Sequence, residues 1–283
     1  MTIQRTVADR YATVNGLRLH YLDWGNARAR PMILLHGLRG FCHDWDDVAE
    51  QFCDRYRILA LDQRGRGDSD WAPDADYFTG AYVSDLEQFI EQLNLNTLIL
   101  MGHSMGGINA IVYASRYPGK VAALVIEDVG PMTTPPAGVS RVTRELQDTP
   151  TEFGSWAEAW AFCRTQRPEI SDEAGSRRVQ YTLRQLPDGR VTWKYDLGGI
   201  LKARLNDDPS RRVDLWPHVR NLQCQTLVIR GGLSDVLSRQ TAEEMARANA
   251  SIRLVEVPEA THYVHDDVAA FNAAVADFLD RIA

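Results

Sequence analysis

Short apolar runs alternate along this chain with amphipathic stretches. Residues 32–35, 56–62, 97–101, 121–126, 226–231 and 252–257 are each apolar and short enough to be a buried strand. Between and after them, residues 44–52, 81–93, 108–114, 239–248 and 268–282 carry helical spacing. In the second of these, Leu86, Phe89, Ile90 and Leu93 share one face. Nearer the start, Asn15-Gly16 separates two runs rich in valine, leucine and tyrosine, which predicts a hairpin with a tight turn. Strands that alternate with helices predict an α/β fold: a mostly parallel, twisted sheet with helices on both faces. A ligand of such a sheet binds outside the carboxyl ends of the strands.

The alternation stops at residue 131 and resumes after residue 216. That interval shows several helical stretches and no buried strand run. It predicts a helical cap inserted over the site, with residues 1–130 and 217–283 forming the core domain. No internal repeat or low-complexity tract interrupts the pattern.

Composition narrows the class of function. With 283 residues and 45% hydrophobic content, the chain suits one large α/β domain with an insertion. Its net charge of −7 argues against nucleic acid as a partner, since no excess of cations is there to displace counterions. No apolar run approaches membrane-spanning length, and the first residues lack the apolar stretch of a signal peptide. Cys42, Cys53, Cys163 and Cys224 are scattered, with no paired or metal-like spacing. A cytoplasmic protein with free thiols, a small-molecule substrate, no metal and no cofactor is expected; one isolated disulfide stays open, and oligomeric state is not legible.

The candidate chemistry centres on Gly102-His103-Ser104-Met105-Gly106, set between an apolar strand and a helical stretch. In that context a glycine-bracketed serine reads as a sharp strand-to-helix turn that lifts its hydroxyl above the sheet. Ser104 is the candidate nucleophile. A serine hydroxyl needs a base, a group to orient that base, and donors for the oxyanion. His262 follows the last strand and is the expected base, with His265 as competitor. Asp235, just past the preceding strand, is the expected acid; Asp128, at the end of the strand after the nucleophile helix, competes with it. The backbone N–H groups of Leu38 and Met105 are the expected oxyanion hole. His36 and His103 read as loop-holding residues, and the loop with Arg64 and Arg66 as scaffolding.

Together Leu35-His36-Gly37, Asp62-Gln63-Arg64-Gly65-Arg66-Gly67, Gly102–Gly107, Gly231-Gly232-Leu233-Ser234-Asp235 and Thr261-His262 resemble the α/β-hydrolase family over nearly the whole chain. The resemblance is to its capped branch of esterases, lactonases and carbon–carbon bond hydrolases. Thr261 departs from the glycine common before the histidine, which would shift that loop slightly. Relatives that dehalogenate alkanes or open epoxides use an aspartate nucleophile, so Ser104 argues against both reactions.

The insertion holds four of the seven tryptophans, Trp156, Trp160, Trp193 and Trp216. Trp156 and Trp160 share a helix face and are candidate substrate-wall residues, with packing of the cap as the competing role. The insertion carries 13 Lys and Arg against 12 Asp and Glu, so the rest of the chain holds a charge of −8. Arg141, Arg144, Arg164, Arg167, Arg177 and Arg178 could include one that clamps a substrate carboxylate. The leading expectation is hydrolysis of a carboxylic ester or lactone through an acyl-enzyme. The same residues would serve cleavage of a carbon–carbon or amide bond in a small acid, or perhydrolysis, or a ligand receptor built on a hydrolase fold.

Overall fold

The computed structural model describes residues 7–131, 137–168, 170–206 and 208–282. It opens with the expected hairpin, β1 (Ala8–Val14) and β2 (Leu17–Asp23). Asn15 and Gly16 supply φ angles of 49° and 77° in its turn, the left-handed values that an Asn-Gly pair accommodates. There follow β3 (Pro31–Leu35), α1 (Asp46–Phe52), β4 (Arg57–Leu61), α2 (Thr79–Gln92), β5 (Leu98–His103), α3 (Met105–Arg116) and β6 (Val121–Glu127). After the insertion come α8 (Leu215–Arg220), β10 (Gln225–Gly231), α9 (Arg239–Ala248), β11 (Ile252–Val257) and α10 (Val268–Ile282), numbered past the inserted elements α4–α7 and β7–β9 given below.

The eight strands form one sheet in the order β1-β2-β4-β3-β5-β6-β10-β11. β1–β2 and β2–β4 are antiparallel, and the other pairs run parallel. Because strand side chains alternate, the apolar runs fill two cores at once. Ile33, Leu35, Leu59, Leu61, Leu98 and Leu100 face one core, which α2 and α3 close with Leu86, Phe89 and Ile111. Met32, Leu34, Ile58, Ala60, Ile99 and Met101 face the other, closed by Trp45 and Phe52 beside α1 and by Phe271, Val275 and Phe278 of α10. Strands buried on both faces need continuous apolar sequence, which is why these runs were legible.

The inserted segment departs from the all-helical expectation. Besides α4 (Ala137–Gln147), α5 (Trp156–Gln166), α6 (Asp172–Thr182) and α7 (Leu197–Arg204), it contains β7 (Glu152–Phe153), β8 (Leu183–Gln185) and β9 (Val191–Trp193), paired antiparallel as a small sheet. Strands of two or three residues are too short to leave a periodic signal. Phe153, Phe162, Trp193 and Tyr195 pack ring against ring beside this sheet, at centroid separations of 4.9 to 6.2 Å.

Most of the arginines expected as substrate clamps hold polypeptide instead. Arg167 pairs with Asp266, Arg177 with Asp47, and Arg141 with Asp235 and Glu145. Arg178 donates to the Arg39 carbonyl and Arg164 to the Ile170 carbonyl. Arg141, Arg167, Arg177 and Arg178 each bond a residue of the core in this way, so the charges serve to seat one on the other. All four cysteines are free thiols. Among the described residues, no helix is long and apolar enough to cross a membrane.

Candidate functional site

The turn between β5 and α3 is as sharp as its glycines require. A Cβ on Gly102 would lie 2.4 Å from the Gly106 carbonyl oxygen, and one on Gly106 would lie 2.2 Å from that of Leu35. Only hydrogen fits at either position, and the helix start is thereby pressed against the strand ends. Ser104 sits between them at φ 51° and ψ −116°, a conformation that costs a non-glycine residue energy. Its N–H donates to the Glu127 carbonyl (3.0 Å) and its carbonyl accepts from the Ile108 N–H (3.0 Å), so strand and helix both hold it there.

His262 lines the same cavity as Ser104. Its Nδ1–H donates to Asp128 Oδ2 at 2.7 Å, and its carbonyl accepts from the Nε2–H of His103 at 3.0 Å. Asp128 is fully buried. Its Oδ1 accepts the Gly231 N–H at 2.9 Å, and the Ser234 hydroxyl donates to Oδ2. Like Ser104, Asp128 has φ 51°, and its own N–H is fixed by the Ile229 carbonyl. Two strained residues on neighbouring strand ends are thus aimed at one place.

The expected acid, Asp235, is corrected by this geometry. Its carboxylate receives Nε and Nη2 of Arg141 at 2.9 and 3.1 Å and is about 40% exposed. Arg141 is also the main reason its carboxyl is held below the usual range. The cause lies in the loop after β10. Gly231 to Ser234 closes as a turn, with the Ser234 N–H on the Gly231 carbonyl and the Leu233 N–H on that of Ala260. Ser234 is thereby turned toward Asp128, and Asp235 faces α4. Strand order favours the same outcome, because β6 lies beside β5 and β10 lies one strand further away.

His265 also takes a different place from the one open to it as a base. Its Nδ1–H bonds Glu127 at 2.8 Å, its backbone N–H bonds the same carboxylate at 2.9 Å, and both side chains are buried. Burial opposes its charge, but the facing Glu127 carboxylate outweighs that and pushes the imidazole up to about 9. His103 lies between these groups and is driven the other way: full burial, then the neighbouring His262 and His265, hold its pKa well below normal. It stays neutral and acts as a donor, the loop-holding role expected of it. His36 behaves alike, receiving the Gln63 N–H on Nε2 at 3.0 Å while its Nδ1–H donates to the Gly37 carbonyl.

Leu38 and Met105 line the cavity with Ser104 and His262. Arg66, completely buried, donates from Nε to the Leu38 carbonyl at 3.1 Å and from Nη1 to Tyr82 Oη at 2.6 Å. Arg64 is held by Asp85 through two bonds of 2.6 Å. The arginine loop is therefore scaffolding, as expected, and Arg66 specifically supports the Leu38 segment. The sequence spacing hid one further cluster: His20, Cys42 and Asp62 bring possible ligand atoms within 4.8 Å of one another. The Asp62 oxygens already accept from His20 Nδ1–H, the Cys42 N–H and the Asp68 N–H. Burial pushes the Cys42 thiol well up, so it stays protonated. This cluster is a hydrogen-bonded hub that ties β2 to the glycine-rich loop.

The cavity over Ser104 measures about 810 Å³. Its walls include Tyr77, Phe78, Ile108, Ile200, Val213 and Val236. Trp156 and Trp160 are absent from it, which corrects their expected role. Trp156 is 39% exposed, and the Trp160 ring packs on Gly175, where an added Cβ would meet it at 3.1 Å. Helical spacing put both on one face, but neither side chain reaches the cavity over Ser104. Arg204, Arg211 and Arg212 do line the cavity, and nothing in their local sequence pattern set them apart.

This sheet and the strand–elbow–helix around Ser104 define an α/β-hydrolase fold. The profile of the Alpha/beta hydrolase family matches residues 32–275, and the chain belongs to that family. It is 32% identical over 263 residues to a 3-hydroxybutyrate-oligomer hydrolase of Cupriavidus necator, covering 87% of each protein. It is 30% identical over 284 residues to an sn-1-specific diacylglycerol lipase of Mus musculus, covering 97% of this chain and 89% of that one. A crystal structure of an alpha/beta hydrolase from Novosphingobium aromaticivorans superposes with a TM-score of 0.85 at 31% identity, covering 99% of this chain and 100% of the other.

Proposed function

We propose that the protein is a serine hydrolase that cleaves a carboxylic ester of a small, partly apolar substrate through an acyl-enzyme. Ser104 Oγ attacks the carbonyl carbon while His262 Nε2 accepts its proton. Asp128 fixes the His262 tautomer and stabilises the imidazolium. The N–H groups of Leu38 and Met105 receive the oxyanion, with the start of α3 adding its positive end. The protonated His262 then gives its proton to the leaving alkoxide. Water, deprotonated by the same imidazole, releases the acid and restores Ser104. The inserted segment acts as a cap that adds Val142, Ile200, Ala203 and Val213 to the pocket wall, together with Arg204, Arg211 and Arg212. Four free thiols are in keeping with a cytoplasmic setting.

The observation that carries this reading is the 2.7 Å bond to a buried Asp128 from His262, which lines the cavity that also holds a strained Ser104. The names of the two relatives, a hydrolase of 3-hydroxybutyrate oligomers and a diacylglycerol lipase, support the choice of an ester. The test is turnover of p-nitrophenyl butyrate by the wild type and by Ser104→Ala. Multiple turnover that falls by at least about 10³-fold in the variant is expected. A folded Ser104→Ala protein with near-normal turnover would overturn the mechanism, and a folded wild type that completes a single cycle would favour a receptor.

A further inference from the structure

A second cavity, of about 690 Å³, lies against the one over Ser104. The two share Phe78, Arg211, Arg212 and Val213 in their walls, so one thin partition faces both. Arg211 is fixed in that partition: its guanidinium stacks over the Phe78 ring at 4.8 Å and bonds Asp76 Oδ1 at 3.3 Å. The lining changes character across it. The inner cavity is walled chiefly by apolar groups such as Ile108, Ile200 and Val236; its arginines are Arg211 and Arg212 of the partition and Arg204, which donates from Nε to Thr143 Oγ1 at 3.1 Å. The outer one is lined by Arg64, Arg116, Arg211, Arg212 and His218, opposed by Asp76 and Asp214.

Two of those arginines are committed, Arg64 to Asp85 and Arg211 to Asp76. Arg116 and Arg212 are exposed and form no ion pair among the described residues. In a chain of net charge −7, two uncommitted guanidinium groups around one groove are a local reversal of sign. Such a groove concentrates anions, and a guanidinium matches the two oxygens of a carboxylate.

We infer that the outer groove is a subsite for a carboxylate at the far end of an elongated substrate whose scissile ester sits at Ser104. This rests on the serine-hydrolase reading and names the substrate class for it: a linear ester with a free terminal carboxylate, long enough to pass the Phe78–Val213 partition. Chain length then decides the sign of the effect. In a short substrate the carboxylate ends among the apolar walls beside Ser104, short of the partition, and loses hydration without a partner. In a long one it reaches Arg116 and Arg212.

The test uses two ladders of esters on the full-length protein, each compared with neutral esters of equal length. In one the acyl part ends in a carboxylate (mono-p-nitrophenyl esters of dicarboxylic acids, four to twelve carbons). In the other the alcohol part does (ω-carboxyalkyl butyrates). Short acids should be poorer substrates than their neutral counterparts. Long acids in at least one ladder should be better by about fivefold in KM, a gain that added salt removes. Arg116→Gln should reduce that gain and leave kcat and KM for p-nitrophenyl butyrate unchanged, and adding Arg212→Gln, on the shared wall, should abolish it. If neither ladder prefers the acid at any length, or the gain survives in the double variant, the subsite is refuted. Wild-type turnover of p-nitrophenyl butyrate tests the hydrolase reading separately, so failure of one is distinguishable from failure of the other.

Discussion

Replacing Asp128 by asparagine changes one oxygen for an amide nitrogen at nearly constant shape. In the wild type, Oδ2 accepts from both His262 and Ser234, and Oδ1 accepts from the Gly231 N–H. Asparagine has one acceptor oxygen, and the fixed backbone donor at Gly231 takes it. The NH2 group then faces His262 Nδ1, which must give up its proton to become an acceptor. The proton moves to Nε2, the nitrogen that has to receive the Ser104 proton. A base in the wrong tautomer also loses the buried charge that stabilises the imidazolium. Together these effects lower kcat by about 10³–10⁴-fold, or about 4–5.5 kcal/mol of transition-state stabilisation. Asp235→Asn removes half of a pair that is about 40% exposed on each side. Pairs of that kind are worth roughly 0–1 kcal/mol, so kcat falls by less than about fivefold. The assay is p-nitrophenyl butyrate turnover, with circular dichroism and a thermal melt to confirm that both variants fold. A larger loss from Asp235→Asn than from Asp128→Asn would refute the reasoning and return the acid to the loop after β10.

Two further outcomes follow from neighbouring geometry. Gly106→Ala places a methyl 2.2 Å from the Leu35 carbonyl oxygen, a contact that backbone must move to relieve. We expect about 2–3 kcal/mol of destabilisation in a urea melt, with kcat reduced because α3 and Ser104 shift together; wild-type stability would show that the elbow is loosely packed. The buried Glu127–His265 pair makes a pH prediction, since the folded imidazole stands at about 9 against an ordinary 6.5. A raised folded pKa stabilises fully below 6.5, and the contribution fades as pH rises through 9, with about 3 kcal/mol as its upper bound. Glu127→Gln should therefore lower Tm more at pH 6 than at pH 10, and parallel Tm profiles for variant and wild type would contradict it.

Much of the core and the elbow that carries Ser104 could be read from local pattern, for a local reason. A strand buried on both faces must be continuously apolar, and a strand-to-helix elbow tight enough to clash with any Cβ must carry glycines at Gly102 and Gly106. Both conditions act on residues adjacent in the chain, so they leave their mark on the sequence. His262 was legible for a similar reason, because only one loop follows the last strand. The choice between Asp128 and Asp235 was not of this kind. Both end strands, and only the placement of β6 beside β5, together with the direction of the Gly231–Ser234 turn, brings one to His262 and sends the other to Arg141. Trp156 and Trp160 show the same limit. Helical spacing put them on one face, and the docking of the insertion left both outside the cavity over Ser104. The three short strands of the insertion, the core-bound arginines and the groove beyond Phe78 likewise depend on contacts between distant segments. Sequence by itself determined the elements and the elbow and offered His262 as the base; tertiary structure decided which carboxylate bonds that imidazole and which side chains line the cavity over Ser104, because those contacts join residues with no local constraint between them.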